Sequence, residues 1–500
     1  MAKKSGFLTA VERAGNALPH PGTLFAALAA LVLALSWLGA SLGWTARNPA
    51  TGADVQVVNL LSRDGLHRIL LHMVDNYTSF APLGIVMVAM LGIGIAESSG
   101  LLGCAIRMFV IRSPRKIITF VVVLAGVLSN VASDLGYVLI IPMAGIIFHS
   151  LGRHPVAGMA AAFAGVSGGF SANLFIGTID PLLAGLSTEA ARIIDPAYLV
   201  LPTANYYFMA VSAILIAFLG TWVTNWYVEP RLGRYTGDQV PEKLEPLTPA
   251  ERKGLRRVLF VILGWAVLFV AGLYPGDGFL RSRDGSLLHS PLLEGFIAVL
   301  FLAAASLGIA FGTATGRFRS DADVMKGMGE SFKSLASFLV LVFFASQFVA
   351  FFKWSHLGLV MAIRGADLLH AANLGTIPLI ILFIVLSGFI NLFMGSASAK
   401  WAILGPVFIP MFMLLGYTPE LSQAVFRIGD SVTNVVSPMM SFFALIIVYF
   451  EKYDKKSGIG TLISTMLPYS ITFFVGWTLL MIAWVLAGLP LGPGAGVYLG

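Results

Sequence analysis

Asn391–Pro410 reads NLFMGSASAKWAILGPVFIP and Leu421–Pro438 reads LSQAVFRIGDSVTNVVSP, joined by a short turn at Tyr417, Thr418 and Pro419. Gly, Pro and polar side chains interrupt sequence that is otherwise apolar enough for a bilayer. Backbone groups released by Gly and Pro, and side chains such as Lys400, Arg427 and Asp430, persist at membrane depth where protein buries them or where they line a wet cavity. The stretch reads as the binding site of a membrane protein.

Working outward, the composition agrees. The 500 residues are 57% hydrophobic and 11% charged, under half the charge density of a soluble protein, about 25%. The chain is an integral membrane protein. Its net charge of +7 follows from basic residues bunched in cytoplasmic loops, so no nucleic-acid partner is invoked. Cys104 is the single cysteine, which excludes an internal disulfide framework and a thiol-ligated metal.

An earlier stretch echoes the first. Asp134, Pro142 and Pro155 recur at the offsets of Ser398, Pro406 and Pro419, and Asn173 and Asn434 are each followed by a proline, Pro181 and Pro438. Interrupted hydrophobic segments in corresponding places of two halves point to the binding site of a secondary transporter.

The expected topology follows from length and charge. Lys3, Lys4, Glu12 and Arg13 precede a retained first span, Leu24–Trp44, which places the N-terminus in the cytoplasm. Residues 45–79 form an external loop with a short amphipathic helix over 61–77, and a second span covers 82–102. Arg107, Arg112, Arg115 and Lys116 put the next connection inside. Residues 117–151 are too long for one span and carry Ser129, Asn130, Ser133 and Asp134 in the middle, which predicts a re-entrant hairpin with a polar tip. A Gly/Ala-rich helix from Pro155 then breaks at SANLFIGTIDP, with Asn173, Gly177 and Asp180 on one face if the helix persists. After a span over 205–228, the charged stretch 231–257 is a cytoplasmic linker between a first half, 1–230, and a second half, 258–500, of one transmembrane domain. Spans at 259–274, 296–311 and 338–352 lead to a second hairpin near 377–416, and 462–489 closes the fold. The fold class is all-α and polytopic, with a hairpin and a broken helix in each half.

Several polar residues carry two readings each. Arg427, Asp430, Asn434 and Pro438 lie on one helical stripe, either a substrate and ion surface or an internal Arg427–Asp430 pair at i, i+3 that neutralises two buried charges. Asp180 has no basic neighbour in sequence and suits a proton carrier, or reaches water at the membrane edge. Asn391 and Asn434 with the Asp430 carboxylate form a candidate sodium site, with Asn130 and Asn173 as secondary candidates, though any one Asn can serve as a cap. Trp401 can stack on an aromatic ligand and Lys400 can attract an anionic one, or both anchor at the interface by snorkelling. An enzyme of the intramembrane serine hydrolase type would use Ser167 of GVSG but needs a histidine base, and His289, His356 and His370 lie in or near loop-like sequence. No HExxH and no GxxxxGK[ST] occurs, so zinc proteolysis and direct ATP hydrolysis have no support and an ion gradient is the expected energy source.

VERAGNALPHP, SNVASDLGYVLIIP, ANLFIGTIDPLL, GSASAKWAILGPVF and FRIGDSVTNVVSP together resemble the AbgT family of p-aminobenzoyl-glutamate transporters over nearly the whole chain. The resemblance implies about nine transmembrane helices plus two hairpins per subunit, a homodimer with a bowl open to the cytoplasm, and residence in a bacterial-type inner membrane. It implies import of p-aminobenzoyl-glutamate or export of antimetabolites, sulfonamides in particular, coupled to protons or sodium without another cofactor. Carried over by motif, the functional positions are Asp180, Ser398, Trp401, Pro419, Arg427 and Asp430. An aryl amine carrying a carboxylate tail asks for one aromatic face and one cation, which Trp401 and Arg427 can supply.

Overall fold

A computed structural model describes residues 21–47, 52–132, 136–239, 246–283, 285–286 and 290–499. The N-terminal motif VERAGNALPHP up to His20, the hairpin-tip residues Ser133 and Asp134, and His289 lie outside the described residues.

The chain is helical almost throughout. The first half runs α1 (Pro21–Ser41), a small antiparallel pair of strands β1 (Thr45–Arg47) and β2 (Asp54–Gln56), α2 (Arg63–Thr78), α3 (Ala81–Ser98), α4 (Leu101–Ile111), α5 (Ile118–Ser129), α6 (Gly136–Ser150), α7 (Pro155–Gly168), α8 (Ile179–Ala191) and α9 (Tyr206–Leu232). The second runs α10 (Pro249–Leu273), α11 (Phe296–Thr315), α12 (Asp321–Trp354), α13 (Leu357–Ala371), α14 (Thr376–Asn391), α15 (Ala397–Leu414), α16 (Pro419–Asn434), α17 (Phe443–Tyr453) and α18 (Ile459–Leu486). Eight described helical stretches are long and apolar enough to cross a membrane, and α4, α6, α7 and α14 are shorter apolar helices.

Both expected interruptions are present. In the 117–151 segment α5 ends at Ser129 and passes into a 3-10 turn at Asn130–Ala132, and α6 starts at Gly136; α14 and α15 likewise flank a non-helical stretch at 392–396. The Gly/Ala-rich α7 ends in a wide π-turn at Ala164–Gly168, and residues 169–178 are not helical. The common face expected for Asn173, Gly177 and Asp180 is therefore not formed, because the chain unwinds before Asn173 and re-forms as α8 only at Ile179. α16 starts cleanly, since the Thr418 hydroxyl accepts the Leu421 N–H and Pro419 takes the first helical position, where no N–H is needed. It ends at Asn434, four residues before Pro438.

Other boundaries differ from expectation for local reasons. The span over 82–102 splits at Gly100, whose φ of +79° only glycine adopts readily, and α4 leaves in a new direction. The basic residues Arg252, Lys253, Arg256 and Arg257 sit on the first turns of α10, which begins at Pro249 with a Thr248–Glu251 capping box; the irregular linker is that much shorter. Helices α13 and α17 and the strand pair were not anticipated. α13 packs on α15, and its Arg364 donates to the Thr45 carbonyl at 2.9 Å, tying the strand pair to the helices.

The core gathers α5, α7, α9, α16 and α18, where Phe163, Phe208, Phe426, Phe473 and Trp477 are fully buried. Two close crossings parallel each other. A Cβ on Gly165 of α7 would stand 2.2 Å from the Val123 carbonyl oxygen of α5, and one on Gly429 of α16 would stand 2.3 Å from the Ile384 carbonyl oxygen of α14. In both places a helix leading into a break lies backbone to backbone on a neighbouring helix, which only glycine permits.

Candidate functional site

The polar face of α16 organises the site. Glu420, Gln423, Arg427, Asp430, Ser431 and Asn434 follow at helical spacing and all are buried. Opposite them stand the irregular 169–178 segment and α8 on one side and the hairpin α14–α15 on the other.

Arg427 faces the first half. Its Nη2 lies 2.7 Å from Asp180 Oδ1 and donates to the Ser171 carbonyl at 2.8 Å. The second Asp180 oxygen accepts the Gly177 N–H at 2.8 Å, and the carboxylate sits in the first turn of α8, where the helix dipole favours an anion. Asp180 is therefore neither isolated nor at a wet edge: it is 6% exposed and paired with a guanidinium that is 1% exposed.

Asp430, one turn on, faces the hairpin. It pairs with the Lys400 ammonium, and the same ammonium donates to Asn391 Oδ1. The Asn391 amide nitrogen donates to the Asp430 carbonyl at 2.7 Å, to Thr433 Oγ1 at 2.8 Å and to Asn434 Oδ1 at 2.8 Å. The Arg427–Asp430 pair at i, i+3 is not made, because each charge has a better-placed opposite charge on another element. Lys400 does not snorkel; it is 1% exposed and its charge is met inside the protein.

Asn391, Asp430 and Asn434 converge as expected of a sodium site, but the cation among them is the Lys400 ammonium. It takes the Asp430 carboxylate and Asn391 Oδ1, and Asn434 Oδ1 is taken by the Asn391 amide. With Lys400 so placed, these residues do not fit a sodium ion. Among the described residues no group of three His, Cys, Asp or Glu side chains could hold a metal.

Trp401 is fully buried, stacks on Phe426 with ring centroids 4.5 Å apart, and donates its indole N–H to Ser187 Oγ at 2.9 Å. Its role is to lock α15 against α16 and α8, not to present a free face. Ser187 passes the connection on to Gln423 at 2.6 Å, Gln423 to Asn205 at 2.8 Å, and Tyr198 donates to Glu420 at 2.9 Å. Ser171, Ser187, Glu420 and Gln423 were missed in the sequence, although the last two continue the Arg427 stripe upstream at i−7 and i−4.

The remaining candidates divide. Half-buried Ser398 contacts Ser396 at 3.2 Å, the residue that caps α15. Pro419 is buried and shapes the start of α16. Asn130 donates to the Val127 carbonyl at 3.1 Å, and Asn173, with its amide nitrogen facing acceptors, reaches the same carbonyl at 3.2 Å. These two hold the first break together as Asn391 and Asn434 hold the second. Two buried polar atoms beside the Arg427–Asp180 pair, Arg427 Nε and Ser171 Oγ, have no hydrogen-bond partner, which leaves capacity for a ligand at this end. Ser167 is fully buried, and its hydroxyl meets Tyr137 at 3.4 Å and the Met440 sulfur at 3.2 Å. With no imidazole in that set, the hydrolase alternative lacks its base.

The sequence and the fold are similar to those of known proteins. The chain is 39% identical over 485 residues to the p-aminobenzoyl-glutamate transport protein of Escherichia coli K12, covering 97% of this chain and 95% of that one. It superposes on the Neisseria gonorrhoeae protein MtrF, described within a class of antimetabolite efflux pumps, with a TM-score of 0.93 and 49% identity over 98% of this chain and 100% of that one. The Alcanivorax borkumensis YdaH transporter matches with a TM-score of 0.90 and 45% identity over 95% of this chain and 100% of that one. The profile of the AbgT putative transporter family matches residues 6–499, and with relatives this similar along its whole length the chain belongs to that family of multi-pass membrane transporters.

Proposed function

We propose that the chain is an ion-coupled secondary transporter for p-aminobenzoyl-glutamate-like aromatic carboxylates and for sulfonamide antimetabolites. It works as a homodimer in a bacterial-type inner membrane with its N-terminus in the cytoplasm. The observation that carries this reading is the buried Arg427–Asp180 pair, set between two interrupted segments and flanked by the unfilled donor Arg427 Nε.

A ligand carboxylate entering there competes with Asp180 for the guanidinium. Charge balance in a buried site then calls for one added proton per bound carboxylate, so ligand binding at Arg427 and proton uptake at the site become one event. Release reverses both. The Lys400–Asp430 pair at the second break is a separate, internally neutral unit that keeps hairpin and helix together. This arrangement supports the proton as the coupling ion.

The test is flux of p-aminobenzoyl-glutamate and of a sulfonamide in proteoliposomes, with pH and sodium gradients imposed separately and in both directions. The expected result is flux of chemically unchanged ligand that follows the pH gradient and persists without sodium. Ligand hydrolysis, or flux that ignores both gradients, would overturn the reading.

A further inference from the structure

A cavity of about 380 Å³ lies between α3, α4 and α11 on one side and the end of α5 with the broken segment on the other. Every residue lining it is apolar, Ile93, Ala105, Leu128, Phe175, Ile176 and Leu300 among them. Phe175 is 62% and Phe109 39% exposed, so the cavity opens sideways between the helices, toward the hydrocarbon that surrounds a membrane protein.

Two helix faces lead from it to one basic loop. On α4, Leu102, Ala105, Ile106 and Phe109 line the cavity at helical spacing, and Arg112 is the next residue on that stripe. On α5, Leu128 and Ala125 line it, and the same helix runs back to Ile118, two positions from Lys116. Arg112, Arg115 and Lys116 are all exposed. Arg107, by contrast, is tied to Glu251.

We propose that this cavity binds one acyl chain of an anionic phospholipid, whose headgroup phosphate rests on Arg112, Arg115 and Lys116. Hydrocarbon chains are what an all-carbon, laterally open cavity in a bilayer meets at highest concentration, and a basic loop at its foot selects the negative headgroup. The chain end touches functional ground. Phe175 and Ile176 belong to the broken segment between Asn173 and Asp180, and Val131, also in the lining, follows Asn130. The bound lipid braces the segment that carries the partner of Arg427. The inference concerns lipid binding alone and stands apart from the identity of the transported ligand.

Full-length protein is reconstituted with equal amounts of phosphatidylglycerol and phosphatidylcholine, returned to mild detergent, and its retained lipid counted by native mass spectrometry. Wild type should hold phosphatidylglycerol in preference. Ala304→Trp, which fills the cavity from α11, should lose one tightly held lipid per chain, and Arg112→Ala/Arg115→Ala/Lys116→Ala should reduce the phosphatidylglycerol preference about tenfold or more. Unchanged lipid counts in the first variant, or an unchanged preference in the second, would overturn the site. Phosphatidylglycerol with a photoreactive group at the end of its acyl chain provides a readout on unmodified protein: label on residues 102–109 and 175–176 supports the site, and label confined to outward faces such as 259–270 refutes it.

Discussion

Asp430 and Lys400 show how a charge survives at this depth. Each is 1% exposed, and removing one leaves the other buried without compensation. Asp430→Ala should therefore lower stability by about 3–5 kcal/mol, whereas the double replacement Asp430→Asn/Lys400→Met should come close to wild type. Thermal melting of the three proteins in one detergent checks this, and additive losses in the double variant would show that the two do not act as a pair. Arg427 differs because the proposed function has it serve a ligand as well as Asp180. Arg427→Lys keeps the charge but loses the planar fork, and should weaken p-aminobenzoyl-glutamate binding by about 1.5–3 kcal/mol, the worth of a hydrogen bond to a charged group; titration calorimetry reads it directly. Trp401→Phe keeps the stack on Phe426 but removes the N–H that donates to the Ser187 hydroxyl oxygen, so its cost should be about 1 kcal/mol in stability, with ligand affinity unchanged. A large loss of affinity would restore Trp401 as a ligand contact.

At the scale of elements, the interrupted segments depend on close crossings behind them. Gly429→Ala would drive a methyl into the Ile384 carbonyl oxygen, forcing α14 and α16 apart at a cost of about 1–3 kcal/mol. Because the same two helices carry Asn391 and Asp430, transport should fall along with the melting temperature. Gly84→Ala is the control, since a Cβ there meets nothing within 4 Å. The breaks themselves were legible from Gly, Ser, Asn and Pro in apolar surroundings, as was the turn at Tyr417, Thr418 and Pro419 that precedes α16. Helices α13 and α17 were not, because their apolar faces are short and mixed with charge, a pattern shared by loops near a membrane surface.

For the whole molecule, the choice of coupling ion turns on what occupies the second break. With the Lys400 ammonium among Asn391, Asp430 and Asn434, exchanging potassium for sodium should leave the wild-type melting temperature unchanged. Lys400→Met removes the internal cation and leaves a carboxylate with amide oxygens around it, so sodium should stabilise that variant by mass action. A sodium-dependent rise in the wild type, absent in Asn434→Ala, would instead return sodium to this place.

What the sequence by itself determined is whatever bilayer chemistry and short-range spacing can dictate: the all-α polytopic class, the two hairpin-like interruptions, the break within SANLFIGTIDP, and the buried stripe of Arg427, Asp430 and Asn434. A bilayer tolerates few backbone forms, so composition and periodicity nearly suffice for these. Partnership was decided by the tertiary structure alone. Arg427 and Asp430 are three residues apart and share one face, which made them the natural pair on a helix considered in isolation. In the fold Arg427 meets Asp180 and Asp430 meets Lys400. A stripe states which side chains point the same way and says nothing of what stands opposite, and in low dielectric an opposite charge brought close by packing outweighs a neighbour along the helix.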